Sequence, residues 1–233
     1  MIQKYLINLD SRPDRLETST KQLRNLGIDF QRISAIDGKD LPSNRFLTPN
    51  VLACWQSHLL AYKNFLGTNA QYALILEDDF EILKTSKFES NLLKWSSSGY
   101  DLVQIGFLLP GFYNKFRIVF EEVEKFTFKM LGKLAALLKD KSINSRLRVR
   151  EASSTAIWMT SSSFLPGTHA YLISRSLAEA IIMEGASNLS ADEYFISLAK
   201  MRSFKIGRLW KSQVGQNSSQ PSIQQRFKRQ EIV

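Results

Sequence analysis

The chain has 233 residues, 44% of them hydrophobic and 23% charged, a composition that fits a soluble globular domain and excludes global disorder. One cysteine and two histidines exclude a disulfide scaffold and the multi-cysteine zinc modules, and argue against a histidine-built metal site. The net charge of +9 favours polyanionic partners, but ten Lys/Arg against four acids within 115–150 make that basicity local.

Residues 4–9 form a short apolar run that stops at Asp10-Ser11-Arg12-Pro13, which predicts a buried strand, a loop, and a helix with Pro13 in its first turn. Leu16, Leu23 and Leu26 line that helix and Gly27 ends it. A second strand follows over 30–36, with a turn at Asp37-Gly38. Thr48-Pro49 opens a helix over 50–65, where Leu52, Trp55, Leu59, Tyr62 and Leu66 recur at helical spacing. The buried strand 72–76 ends abruptly in Glu77-Asp78-Asp79. A helix near 86–95 and a strand over 102–105 come next. Lysines alternating with leucines mark 108–150 as a basic amphipathic helical insertion. The pattern then returns to a strand over 167–173, a helix with Ser176 and Glu179 as its capping box, a helix over 191–201 and a strand over 204–209. From 211 to 233 the chain reads as a polar, basic, partly disordered tail. The first apolar run is too short for a signal peptide, and nothing approaches the ~20 apolar residues of a spanning helix. The expected location is cytoplasmic, with peripheral membrane contact left open.

Strands alternating with helices at this spacing predict an α/β fold with a mostly parallel sheet, organised as one domain over 1–233. Such sheets bind ligands beyond the carboxyl ends of their strands, which places Asn8 to Arg12 and Glu77 to Asp79 at one site. Three adjacent carboxylates after a buried strand repel one another, and a cation relieves that cost; Mg²⁺ or Mn²⁺ suits their hard oxygens. On an extended backbone Glu77 and Asp79 share a face and Asp78 points away. The structural alternative is a solvated acidic turn. Arg12 and Arg15 suit phosphate, or else form surface ion pairs with Asp14 or Glu17. His58 is a catalytic candidate or a packed helix residue, and Cys54 one turn earlier reads as a small core residue. Asp192 and Glu193 are either favourable acids in a helix's first turn or the source of a general base. No glycine-rich phosphate loop is present.

Taken in order, these motifs resemble glycosyltransferase family twenty-five, the bacterial lipopolysaccharide and lipooligosaccharide galactosyltransferases and their procollagen galactosyltransferase relatives. The residues that carry the resemblance are Ile7-Asn8-Leu9 with Arg12 and Asp14-Arg15, Ala35-Ile36-Asp37-Gly38, Cys54 with Ser57-His58, Leu76-Glu77-Asp78-Asp79, Gly167-Thr168 with Ala170 to Ser174, and Asp192. The order and gaps fit from residue 2 to about residue 200. Ala53 stands where the family often has glycine, and Leu189-Ser190-Ala191 precedes Asp192 where a Pro-Val-Asp-like approach is usual.

The resemblance implies a GT-A type nucleotide-diphospho-sugar transferase fold and inverting transfer from a UDP-sugar, most often UDP-galactose, to a glycan or glycolipid hydroxyl. By the same likeness Asp79 is the principal Mn²⁺ or Mg²⁺ ligand, with Glu77 at the ribose or the metal. Asn8, Arg12, Arg15 and Asp78 then belong to the nucleotide pocket, and Thr168 and Tyr171 shape the sugar pocket. Asp192 is the first candidate for the base that deprotonates the acceptor, and His58 the second. Gln213 and Gln216 fall where such enzymes often close over the donor. The basic 115–150 segment serves an anionic membrane surface, or a lid or dimer contact. Nucleic acid is not an expected partner, since no reading motif accompanies the charge. A different UDP-sugar donor, or a silent member that only binds a sugar nucleotide, are the alternatives.

Overall fold

A computed structural model describes residues 1–42, 46–83, 85, 87–108, 157–158, 164–185, 188–201, 203–209 and 212–217. The chain divides into one compact unit of Met1–Phe107 with Ile157–Val233, and a second of Leu108–Ala156. The expected basic helix within 108–150, and the tail beyond 217, lie outside the described residues. The elements of the first unit are β1 (Ile2–Asn8), α1 (Pro13–Asn25), β2 (Gln31–Ser34), α2 (Pro49–Leu66), β3 (Tyr72–Glu77), β4 (Phe80–Ile82), α3 (Phe88–Ser96), β5 (Leu102–Gly106), β6 (Ile157–Trp158), β7 (Ala170–Ser174), α4 (Arg175–Glu184), α5 (Ala191–Met201), β8 (Ile206–Leu209) and β9 (Val214–Gln216).

Period-two alternation sorts the apolar residues between two cores, one on each face of the sheet. Tyr5, Ile7, Ala73, Ile75, Tyr171 and Ile173 face a core shared with Trp55 and Phe65 of α2, Leu177 of α4 and Phe195 of α5. Leu6, Leu74, Leu76, Val103, Ile105 and Leu172 face the other, with Leu23 of α1 and Leu92 and Trp95 of α3. The central strands β3, β5 and β7 are buried on both faces, which is why they read as continuous apolar runs, whereas β2 at the edge is mostly exposed.

The strand order is β2-β1-β3-β7-β5-β8-β6, with β9 joining β5 to β4. The α/β architecture is as expected, but the sheet is mixed rather than mostly parallel. β1 runs parallel to β2 and β3, and β5 parallel to β8, whereas β7 lies antiparallel between β3 and β5. This reversal positions the site. Leu76 pairs with Ala170, so the start of β7 arrives beside the end of β3, and the Glu77 amide donates to the His169 carbonyl at 3.1 Å.

Local chemistry differs from expectation at a few points. Ser174, not Ser176, caps α4, accepting from the Leu177 amide at 3.2 Å. The short strand β9 lies at the start of the stretch expected to be a partly disordered tail, ordered there by pairing with β4, a segment for which no element was expected. Gly38, after β2, packs against the start of α2; a Cβ there would lie 2.9 Å from the Asn50 Cα, so only glycine permits the approach.

Candidate active site

The ends of β1 and β3 and the first half of α2 line a solvent-open cleft. Arg15, Cys54, His58, Glu77, Asp78, Asp79 and Gln216 are among its lining residues. The acidic turn is not solvated: the side chains of Asp78 and Asp79 are only 9% and 6% exposed. Nor does Asp78 leave the site. Regular extension ends at Glu77, and residues 78 and 79 form a turn, so strict alternation no longer applies.

Each carboxylate has its own environment. Asp78 accepts from Asn8 Nδ2 at 2.7 Å and Arg15 Nη1 at 3.0 Å, while its carbonyl accepts from Ser19 Oγ at 2.9 Å. Glu77 Oε1 accepts from Thr168 Oγ1 at 2.6 Å and lies 3.3 Å from His58 Nε2. Burial would raise Glu77, but these two partners and the His58 charge bring it down to about 2. Asp79 Oδ2 accepts from Gln216 Nε2 at 2.8 Å and lies 3.7 Å from Arg15. Its Oδ1 is buried without a hydrogen-bond partner. Burial, then the Glu77 charge, raises Asp79 to about 6, with Gln216 and Arg15 opposing.

Asn8 holds Asp78 in place and does not line the cleft. It is 1% exposed, and besides Asp78 it donates to the Arg12 carbonyl at 3.0 Å and accepts from Arg32 Nε at 3.0 Å. Arg12 lies outside the cleft lining and grips Asp14 with two nitrogens at 2.9 and 2.7 Å, the local alternative. Arg15 does reach the cleft. Tyr171 is fully buried, so it lies behind the site rather than shaping a sugar pocket; its hydroxyl meets His58 Nδ1 at 2.7 Å and also the Tyr62 hydroxyl. Thr168 orients Glu77. His58 has both ring nitrogens engaged by protein. Cys54 belongs to the cleft wall rather than the core, because it shares a face of α2 with His58 one turn on.

At the start of α5 the two acids divide their duties. Glu193 and Ser190 form a reciprocal cap, with the Ser190 amide donating to Glu193 at 3.0 Å and the Glu193 amide to Ser190 Oγ at 3.4 Å. Asp192 turns inward, and its Oδ1 accepts from the Gly167 amide at 3.1 Å, one residue from Thr168. Burial, with Glu77 adding to it, raises Asp192 to about 6 against that amide bond.

Sequence reasoning assigned no role to Ser19, read Cys54 as a core residue, and placed Gln216 only in a region that closes over the donor, without a partner. Ser19 follows Arg15 by one helical turn, as His58 follows Cys54, and that spacing was the available signal. Gln216 arrives on β9, which pairing from far along the chain creates.

The profile of glycosyltransferase family 25 (LPS biosynthesis protein) matches residues 1–195. The chain belongs to glycosyltransferase family 25. Procollagen galactosyltransferase 1-B of Xenopus laevis is 30% identical over 125 residues, 44% of this chain and 20% of that protein. A glycosyltransferase 25 family member of Anopheles gambiae is 31% identical over 94 residues, 32% of this chain and 16% of that protein. This family 25 chain therefore matches a fifth or less of the length of these relatives. The crystal structure of A197 from STIV aligns with a TM-score of 0.45 and 13% identity, over 92% of this chain and 83% of that one.

Proposed function

We propose that the chain transfers a sugar, galactose in the first instance, from a UDP-sugar to a hydroxyl of a surface glycan or glycolipid, inverting the anomeric centre with divalent-metal assistance. The observation that carries this reading is Asp79 Oδ1, a buried carboxylate oxygen without a partner in a cleft where three acids meet. A buried acceptor in that state has a desolvation cost that a cation relieves. Its hard oxygen, with Glu77 beside it, suits Mg²⁺ or Mn²⁺. A divalent ion held by Asp79 and Glu77 would offset the negative charge that grows on the departing diphosphate.

The chain's own residues supply the rest. Arg15 brings a fixed positive charge to the same wall and keeps Asp78 from adding net repulsion to the anionic donor. Thr168 and His58 hold Glu77 ionised and oriented. Asp192 lies outside the lining of the cleft, next to Thr168 through its bond to the Gly167 amide; raised to about 6, it would take the acceptor hydroxyl's proton from an acceptor bound on that side. His58 acts as a positioning residue, since its nitrogens are already bonded. In this reading 1–233 is one cytoplasmic transferase domain, and the basic 115–150 segment meets an anionic membrane surface that carries the acceptor, or else serves as a lid or dimer contact. Among the described residues no helix is long and apolar enough to cross a membrane.

The test is thermal stability with UDP, UDP-galactose, UDP-glucose or GDP-mannose, each with and without Mn²⁺. A ligand at 100 times its dissociation constant adds about 2.7 kcal/mol. A rise with uridine nucleotides that requires Mn²⁺ is expected, and the sugars then rank the donor. No rise with any nucleotide overturns the reading.

A further inference from the structure

We infer that the cleft contains a second, thiophilic metal site, built by Cys54, His58 and Glu77, which takes Zn²⁺ and closes the cleft to the sugar nucleotide. One ligand atom from each of the three lies within 4.8 Å of the other two, and His58 Nε2 is already 3.3 Å from Glu77 Oε1. A sulfur, an imidazole nitrogen and one carboxylate oxygen are a borderline-soft donor set that Zn²⁺ prefers over Mg²⁺. Three protein ligands on the wall of an open cleft leave the fourth tetrahedral position facing solvent.

Two independent features support the site. The first is the ring of contacts behind the ligands. Tyr171 Oη lies 2.7 Å from His58 Nδ1, so an Nδ1–H donated to it lets Nε2 release to solvent the proton it shares with Glu77 and turn its lone pair to the metal. Thr168 Oγ1 fixes the Glu77 carboxylate at 2.6 Å. Metal-binding histidines and carboxylates are ordinarily supported in this way. The second is Asp79, 94% buried, with its Oδ1 unpartnered on the same cleft wall. With Glu77 and Asp192 it surrounds the thiol with negative charge, a field that favours a cation. Binding releases the Cys54 thiol proton to solvent and forms the sulfur–metal bond.

The site shares Glu77 with the transfer machinery, but its existence does not depend on that reaction, and only its inhibitory consequence rests on the function proposed above. Glu77 serves both metals, so Zn²⁺ there denies it to Mn²⁺ or Mg²⁺ at Asp79. Because the chain holds a single cysteine, Co²⁺ used as a probe reports the site without ambiguity. Titration of the full chain with Co²⁺ is expected to give a near-ultraviolet sulfur-to-cobalt charge-transfer band that Zn²⁺ abolishes. Cys54→Ser should remove the band, and Tyr171→Phe should weaken Co²⁺ binding about tenfold. Zn²⁺ should suppress the Mn²⁺-dependent uridine-nucleotide stabilisation of the wild type but not of Cys54→Ser. No band in the wild type, or a band that persists in Cys54→Ser, overturns the site. A band with no effect of Zn²⁺ on nucleotide binding overturns the inhibition. A nucleotide response absent throughout, with the band present, counts against the transferase reading alone.

Discussion

The acids at the end of β3 and those at the start of α5 are assembled differently and reach a similar state. In each group one carboxylate is committed to structure: Asp78 to Asn8 and Arg15, and Glu193 to Ser190. In each group another is raised to about 6, the buried Asp79 at the strand end and the half-buried Asp192 at the helix start. The compensation differs. The strand-end cluster uses a buried guanidinium, because three charges crowd one turn. The helix start uses a backbone amide and the favourable end of the helix dipole, because only two acids are present. Adjacent acids are therefore a poor guide to chemistry until it is known which of them the fold has already neutralised.

Substitutions that strike the unneutralised member should separate the two groups most sharply. Asp79→Asn should abolish Mn²⁺-dependent nucleotide stabilisation with the fold intact by circular dichroism; full metal-dependent binding would move the ion elsewhere. Asp192→Asn should retain nucleotide binding and lower turnover by about 10²–10⁴-fold, the range for a lost general base. Full turnover in that variant would break the parallel with Asp79.

Removing a neutralising partner should cost stability instead. Arg15→Met leaves Asp78 buried without its cation, and breaking a buried pair costs about 3–5 kcal/mol. Chemical denaturation measures it. At the helix start the matching change, Ser190→Ala, should cost only about 1 kcal/mol and leave turnover unchanged.

The pH dependence of Asp192 has a definite sign. Its folded pKa, about 6, lies above the ordinary aspartate value of 3.8, so the folded state holds the proton more tightly. Below pH 3.8 the group costs nothing; the cost grows as pH rises and is complete above about 6. Asp192→Asn should therefore flatten the fall in melting temperature between those values. Wild-type turnover should rise around pH 6, where the folded-state carboxylate loses its proton. A melting profile that Asp192→Asn leaves unchanged would show that burial does not set this carboxylate's protonation.

The sequence made the buried strands legible because burial on both faces leaves uninterrupted apolar runs, as in Tyr72 to Leu76. It also marked Glu77 to Asp79 and Asp192, since charge beside a buried run is conspicuous. Strand direction was not legible: Ala170 to Ser174 reads the same whether it runs with or against β3. β4 and β9 have three residues each and exist through mutual pairing, so no local pattern announces them. Asn8 and Tyr171 were marked but given outward-facing roles; both lie inside because their partners, 70 and 113 residues away, draw them there.

The contact between β9 and the acidic turn bears on how the protein is made. Gln216 and Asn217 hold Asp79 by its side chain and its carbonyl, at 2.8 and 2.7 Å, across 137 residues of chain. A ribosome delivers Asp79 long before it delivers Gln216. The nascent cleft can therefore gather β1, β2 and β3 early, yet its acidic wall stays unlatched until the final stretch emerges. Such long-range closure is slow, because loop-closure entropy must be met before the contact forms. If Asp79 holds an ion as proposed, that competence waits for β9, and chains released before β9 should carry the three acids without the Gln216 and Asn217 contacts that fix Asp79.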